Sequence, residues 1–442
     1  MTAVRPVLIR RALPWVSPLT VAAGIAHREG ALCLLSDPTV PGSRSFVAAD
    51  PDRMAVVETS SGDLFAPLDT PEWRRGGVIG LASYDAGARA ATGPRDPAWP
   101  DLILARYPAM AVFDHDSEGL TLIGWGRDAR EAETACDAAE VWMSHAVTPA
   151  TPDAPARALI PEAPPQTYRD AVAGVVSRIA AGDLFQANIA RGWSGALNAD
   201  ADPFDVFLRL ALGEASTRAA PYGAFWRVGG RALVSNSPEL FVACDAAAGR
   251  IETRPIKGTR PRHPDPAVDA ANAAALLASA KDRAENLMIV DLMRNDLARV
   301  CRPGSVVVDR LFEIERHPTV HHLVSTVSGI LLPGTGPAEV LRATFPPGSI
   351  TGAPKHQAMK VIATLEPPRG AWCGSLFLID ENDDLTASVL IRTAAFERIE
   401  ARWTFRTQAG AGIVADSDPE AELQETEAKI SALRQALTGE GA

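Results

Sequence analysis

Apolar positions recur at two different spacings along this chain, divided by a proline-rich stretch. Upstream, short apolar runs at 31–35, 77–83 and 120–125 are separated by Gly, Pro and Asp. Short runs bounded by turn-formers predict strands, so residues 1–146 form a sheet-rich N-terminal region. The segment 147–166 has prolines at 149, 152, 155, 161, 164 and 165, which predicts an extended linker or surface crossing. Beyond it the period changes. Thr167 is a candidate N-cap, and Tyr168, Val172, Val175 and Ile179 follow at helical spacing up to Gly182.

An alanine-rich stretch from 265 to 302 predicts a long helix, broken once and ended by Pro303-Gly304. Residues 305–308, 372–379, 386–396 and 403–408 read as strands, and 419–437 as a terminal helix. Residues 167–438 are therefore the second, larger region. Strands and helices mix without regular βαβ alternation, which predicts an α+β fold.

Composition narrows the function. Lys and Arg number 43 against 54 Asp and Glu, a net charge of -11. That argues against nucleic acid or an anionic membrane as partner, though local basic groups can still bind an anionic substrate. Five cysteines, at 33, 136, 244, 301 and 373, are odd in number and form no CxxC pair. This argues against a zinc site or disulfide framework and for a reducing compartment. The N-terminus lacks a signal-like apolar run, and no segment has the length of a membrane span, so a cytoplasmic protein is expected.

Lys257 stands out in the run Glu252-Thr253-Arg254-Pro255-Ile256-Lys257-Gly258-Thr259. Pro255 restricts the chain and Gly258 permits a turn, so one amine is held at a strand-to-turn junction without an acidic neighbour in sequence. Such an amine can become a nucleophile; an exposed loop lysine is the blander alternative. In the terminal helix, Glu422, Glu425 and Lys429 share one face. That pattern suits either Mg²⁺ or a solvated charged face. Glu285 precedes an apolar turn, where a metal would compensate its charge, or an ion pair with Arg283 or Arg294. Gln408-Ala409-Gly410-Ala411-Gly412 reads as a strand entering a small-residue turn, whose amides can bind a carboxylate. Arg392 offers a bidentate clamp for another. His321-His322 fit structural histidines, and residues 348–355 form a glycine-rich turn without Walker spacing.

Together these runs resemble the chorismate-utilising enzymes, a group that includes anthranilate synthase, aminodeoxychorismate synthase, isochorismate synthase and salicylate synthase. The resemblance spans nearly the whole chain and is densest from Tyr168 to Leu437. It rests on Gly182–Gln186, Ser237-Pro238-Glu239, Pro255–Thr259, Ala284–Asp291, Val320–Leu323, Gly348–Lys355, Ile391–Thr393, Gly410–Gly412 and Ala421–Lys429. Pro-Ile-Lys-Gly-Thr resembles component I of aminodeoxychorismate synthase, where anthranilate synthases carry alanine in place of Lys257. Trp372-Cys373-Gly374-Ser375 agrees, whereas Gln408–Gly412 is more like anthranilate synthase. Gln186 stands where isochorismate and salicylate synthases place a water-activating lysine, and an amide cannot act as that base.

The resemblance implies two packed antiparallel sheets forming a sandwich with helices outside. It implies Mg²⁺ on Glu285 and Glu425, with Glu422 nearby or through water. It implies chorismate carboxylates held by Arg392, Lys429 and the amides of Gly410, Ala411 and Gly412, with Gly258, Thr259, His322, Thr351 and Trp372 also lining the site. Lys257 is the implied nucleophile and Glu239 the acid. Ammonia would come from a separate glutamine amidotransferase subunit, and a lyase would act downstream. Ser36, Ser43, Arg44, Ser45, Phe46, Pro221, Tyr222 and Gly223 match a tryptophan pocket. Anthranilate synthase component I, or a non-catalytic protein binding chorismate or tryptophan, are the alternatives.

Overall fold

The computed structural model describes residues 6–74, 76–213, 220–317 and 320–440. Two antiparallel sheets dominate it, one of twelve strands and one of ten. The larger runs Val7–Leu13, Gly119–Gly126, Ala109–Asp114, Arg44–Ala48, Leu32–Leu35, Tyr222–Val228 and Arg231–Ser237. It continues through Thr393–Ile399, Arg402–Ile413, Gln186–Ala196 and Gly352–Ala353. The smaller runs Ile256–Pro261, Val320–Ile330, Arg250–Thr253, Leu240–Asp245, Leu385–Val389 and Ser375–Ile379, then Gly77–Ala82, Leu102–Tyr107 and Arg53–Val57. Strands from both sides of the proline-rich segment thus share both sheets. The segment itself docks on the larger sheet, where Ile160 and Pro161 pair with Ser194 and Trp193.

Alternation along the strands explains the layers. Ile79, Leu81, Ile103, Ala105, Leu376 and Leu378 of the smaller sheet share one core with Val47, Phe225 and Phe396 of the larger. Their sequence neighbours Val78, Ala82, Leu102, Leu104 and Phe377 face the opposite way, into a second core. The helices Pro165–Ala180, Lys355–Leu365 and Pro419–Thr438 cover the outer face of Gln186–Ala196 and Arg402–Ile413. This is the expected sandwich, with helices outside it.

Several local expectations shift. The helix after the proline-rich segment is capped at Pro164 and starts at Pro165, so Thr167 lies within its first turn. The alanine-rich stretch divides into Pro266–Ala278 and Ala280–Ala298 at Ser279, whose hydroxyl accepts from the Asp282 amide at 3.2 Å. Residues 386–396 are not one strand. Leu385–Val389 belongs to the smaller sheet and Thr393–Ile399 to the larger, so residues 390–392 carry the chain across the sandwich. A second crossing lies at Pro238-Glu239, between Arg231–Ser237 and Leu240–Asp245. Gly410–Gly412 is not a turn, because Arg402–Ile413 runs through it as one continuous strand. Among the described residues no helix is long and apolar enough to cross a membrane.

Candidate active site

The two crossings bring Glu239 and Arg392 together at one corner of the sandwich, where strands that switch sheets turn the corner. Arg392 has φ 51, a left-handed conformation unusual for a bulky residue. Its guanidinium is half-buried and has no carboxylate partner among the described residues. Burial pulls its pKa down, and its charge bears on His322. The His322 ring is 2% exposed and lies 2.9 Å from the Thr259 hydroxyl. Burial, reinforced by Arg392, pushes it down to about 3, so it is a neutral ring.

Lys257 sits in Ile256–Pro261, where the register against Val320–Ile330 slips between Ile256 and Thr259. The junction expected from sequence is therefore a bulge within a strand, which re-aims the side chain. Gly258 has φ +88, and a Cβ there would meet Asp282 and Leu276 at 2.9 Å, so both conformation and space demand glycine. The Lys257 amine donates to the Ser349 carbonyl at 2.9 Å. Burial lowers its pKa, against the opposing pull of Glu285 and Glu239. Glu239 is 4% exposed; burial raises its pKa, while a hydrogen bond with the Ser349 side chain partly restrains the shift. Ser349 thus touches both groups. It was not picked out from sequence, although it lies within the glycine-rich run 348–355.

The opposite wall is the strand Arg402–Ile413. A Cβ on Gly412 would lie 2.3 Å from the Gln186 amide nitrogen and 3.5 Å from the Lys257 amine. One on Gly410 would meet Asn188 at 2.7 Å and the Trp372 ring at 3.0 Å. These glycines exist for close approach rather than for turning. The Ala411 side chain points into the outer core, so only its backbone faces the site. Gln186 is fully buried, and neither amide atom has a partner. Thr351 is also fully buried, and its hydroxyl donates to the Pro347 carbonyl.

Behind Trp372 lies a fully paired set of charges. Arg369 bonds Glu366 and the carbonyls of Ile350 and Asn188, and stacks 4.6 Å from Tyr84 and 5.1 Å from Trp372. It ties together three segments of the site wall.

The acidic residues gather on two helices. Glu285 lies on Ala280–Ala298, and Glu422 and Glu425 on Pro419–Thr438. Burial raises both Glu285 and Glu422, and each is raised further by a neighbouring carboxylate. Glu425 is different: its side chain is 49% exposed, and although what burial it has opposes ionisation, Lys429, 2.6 Å away, brings its pKa down. Lys429 also donates to the Gly410 carbonyl at 2.8 Å. The arginines that might have balanced Glu285 are engaged elsewhere, Arg283 over Phe312 and Arg294 on Asp291. The nearest cation is Lys281, 4.0 Å from Glu285 and 3.7 Å from Glu422. Among the described residues no group of three or more His, Cys, Asp or Glu is placed to hold a metal ion. Buried carboxylates that share one lysine fit a cation held by few protein oxygens, and Mg²⁺ is such an ion because it keeps most of its waters.

A separate cavity of about 510 Å³ lies between the sheets. Ser36, Ser43, Arg44, Phe46, Pro221, Tyr222 and Gly223 line it, together with Asp380. Ser45 does not line it; its hydroxyl lies 2.8 Å from His115 instead.

A family described as chorismate binding enzyme matches residues 45–435. Aminodeoxychorismate synthase component 1 of Salmonella typhimurium is 37% identical over 438 residues, 95% of this chain and 92% of that protein. Anthranilate synthase component 1 of Streptomyces coelicolor is 35% identical over 96% of this chain and 86% of its own length. The crystal structure of anthranilate synthase component I from Streptococcus pneumoniae superposes with a TM-score of 0.74 at 28% identity, covering 89% of this chain and 93% of that one. With its fold, its site corner and its relatives in agreement, this chain belongs to the chorismate-binding enzymes.

Proposed function

We propose that the protein is an aminodeoxychorismate synthase component 1, which converts chorismate and ammonia to 4-amino-4-deoxychorismate. The observation that carries this reading is the half-buried Lys257 amine beside Glu239 and the unpartnered Gln186 amide. Lys257 attacks C2 of chorismate as the C4 hydroxyl leaves, and Glu239 protonates that hydroxyl so that it departs as water. Ammonia then forms a bond to C4 while the bond from C2 to the lysine nitrogen breaks, which restores the amine. The chemistry needs a neutral Lys257 and a protonated Glu239, and burial favours both forms. Gln186 cannot take a proton from water, which supports an amine over water as the nucleophile.

Arg392, Lys429 and the Gly410–Gly412 backbone orient the two substrate carboxylates, with Gly258, Thr259, His322, Thr351 and Trp372 shaping the pocket. Glu285 and Glu425, with Glu422 beside them, would hold Mg²⁺. When bound, that ion supplies Lewis-acid compensation of the ring carboxylate. Ammonia comes from a glutamine amidotransferase subunit, and a lyase downstream releases 4-aminobenzoate. The cavity between the sheets has the lining expected of a tryptophan site. Anthranilate synthase remains the second reading, favoured by the Gln408–Gly412 strand and by relatives of that name at similar identity.

The test is an assay of purified protein with chorismate, Mg²⁺ and ammonium at mildly alkaline pH. Products are resolved by mass spectrometry, with and without an added aminodeoxychorismate lyase. A non-aromatic amino product that the lyase converts to 4-aminobenzoate is expected. Anthranilate instead would overturn the reading in favour of the second.

A further inference from the structure

Among 43 basic residues the chain has five lysines, at 257, 281, 355, 360 and 429, and arginine supplies the rest. In such a chain each lysine is informative, because an ammonium is a compact point charge with three donors and a guanidinium is a planar fork. Lys257, Lys281 and Lys429 belong to the site already described, and Lys360 is exposed. Lys355 has no part in the chemistry above. It opens the helix Lys355–Leu365, where a positive charge meets the unfavourable end of the helix dipole. Its side chain is nonetheless only 14% exposed. The ammonium donates to Asp296, to the Thr344 carbonyl at 2.9 Å and to the Pro346 carbonyl at 3.0 Å. Asp296 is 2% exposed and lies on Ala280–Ala298, the helix that carries Glu285. A buried ion pair is weak support for stability in itself, so what this pair holds in place matters more.

It holds the segment that meets the nucleophile, in which every carbonyl from Pro346 to Ile350 is occupied. Pro346 accepts from Lys355, and Pro347 from the Thr351 hydroxyl at 2.8 Å. Gly348 accepts from the Thr351 amide at 3.0 Å, and Ile350 from Arg369 at 3.1 Å. Between them the Ser349 carbonyl accepts from the Lys257 amine at 2.9 Å. Gly348 is also pressed against the helix of Asp296, since a Cβ there would meet Leu292 at 2.6 Å. Leu292 lies about one turn before Asp296. The segment is thus fixed to that helix twice, at Gly348 and through Lys355. A carbonyl is a fitting partner for a nucleophilic amine. It accepts an N–H from the neutral and the charged form alike, whereas a carboxylate would favour the charged one. Fixing the direction of one N–H also limits where the nitrogen lone pair can point.

We propose that Lys355, paired with Asp296, is a positioning residue for the nucleophile: it fixes residues 344–349 against the helix Ala280–Ala298 and so sets the Ser349 carbonyl that orients the Lys257 amine. Lys355 acts through Ser349 rather than on the substrate. The proposal rests on the reading of Lys257 as nucleophile given above.

The experiment uses the full chain carrying lysine labelled with ¹³C at Cε, whose five signals are few enough to resolve by NMR. The Lys257 signal is assigned by its loss in Lys257→Met. Lys355→Met removes the donors but strands Asp296, so the deciding variant combines Lys355→Met with Asp296→Leu. Apolar on both sides, it is expected to fold. In that variant the Lys257 signal is expected to shift. With chorismate, Mg²⁺ and ammonium chloride its kcat is expected to fall about 10²-fold, the cost of about 1 Å of misplacement, with KM for chorismate unchanged. An unmoved Lys257 signal in the folded variant overturns the proposal whatever the rate, because a pair that serves stability alone does not reach the amine. A shifted signal with unchanged kcat also overturns it. So does a rise in KM for chorismate that matches the fall in kcat, which places the damage in substrate binding. Failure of the amination reading is seen separately, in the product of the unmodified protein, and leaves the Lys257 signal as the test of the contact.

Discussion

Two groups of buried charges flank Trp372, and they are built on opposite principles. Arg369 and Glu366 satisfy each other and bind neighbouring carbonyls. Lys257, Glu239 and Arg392 are buried or half-buried without an ion pair among the described residues, and burial shifts each pKa against its charge. Paired charges make a rigid wall; unpaired ones are held in readiness, at a cost in stability. The difference separates scaffold from reagent within a single site.

The sharpest way to break that contrast is Lys257→Ala. Loss of the nucleophile lowers the glutamine- or ammonia-dependent rate by about 10⁴-fold or more, with free ammonia restoring only a trace. Retained activity would remove Lys257 from the reagent set. Next comes Arg369→Met, which leaves Glu366 buried without its cation, held among the described residues only by the Ala190 amide at 2.7 Å. It is expected to cost about 3–5 kcal/mol in urea unfolding, and a loss under 1 kcal/mol would mean the pair is not scaffold.

Glu239→Gln should lower kcat by about 10²–10⁴-fold. The unmodified enzyme should give a bell-shaped pH profile, bounded by a carboxyl raised above 4.5 and an amine lowered below 10.5. The Gln variant should lose one limb of that bell; a profile with both limbs intact would assign the titration elsewhere. The smallest effect is a gain. Lys257→Met should stabilise the protein by about 1 kcal/mol at neutral pH. The sign follows from linkage: a folded-state pKa below the unfolded value means the unfolded chain binds more protons. Stability of the unmodified protein therefore rises with pH between the lowered Lys257 value and about 10.4, and the Met variant should lack that rise.

Much of this was legible in the sequence, for identifiable reasons. The helix at Pro165–Ala180 carries a clear apolar stripe, so period alone located it. Lys257 and Arg392 stood out in their own segments, whereas Glu239 came only through the family resemblance. What failed was geometry that needs a second segment. Residues 386–396 read as one strand because the apolar run is nearly continuous, yet the chain changes sheets at 390–392. Gly410 and Gly412 read as a turn because glycine usually signals one. Their real reason is the crowding by Asn188, Trp372 and Gln186, which is invisible in one dimension. Lys281 and Ser349 act through contacts with other elements, and nothing in their own neighbourhoods marks them.

The two crossings have a consequence for how this site varies. Glu239 and Arg392 hang from two links that span the sandwich side by side, tied by the Asn236 amide donating to the Arg392 carbonyl at 2.9 Å and the Val389 amide donating to the Glu239 carbonyl at 3.1 Å, so both links must bridge the same distance between the sheets. Packed sheets sit about 10 Å apart, and that spacing depends on side chains such as Leu81, Phe225 and Leu376. Core residues that never meet a ligand thereby set the tension of both links. Trading one of them for a larger or smaller neighbour would stretch or slacken the two together and re-aim acid and guanidinium as a unit.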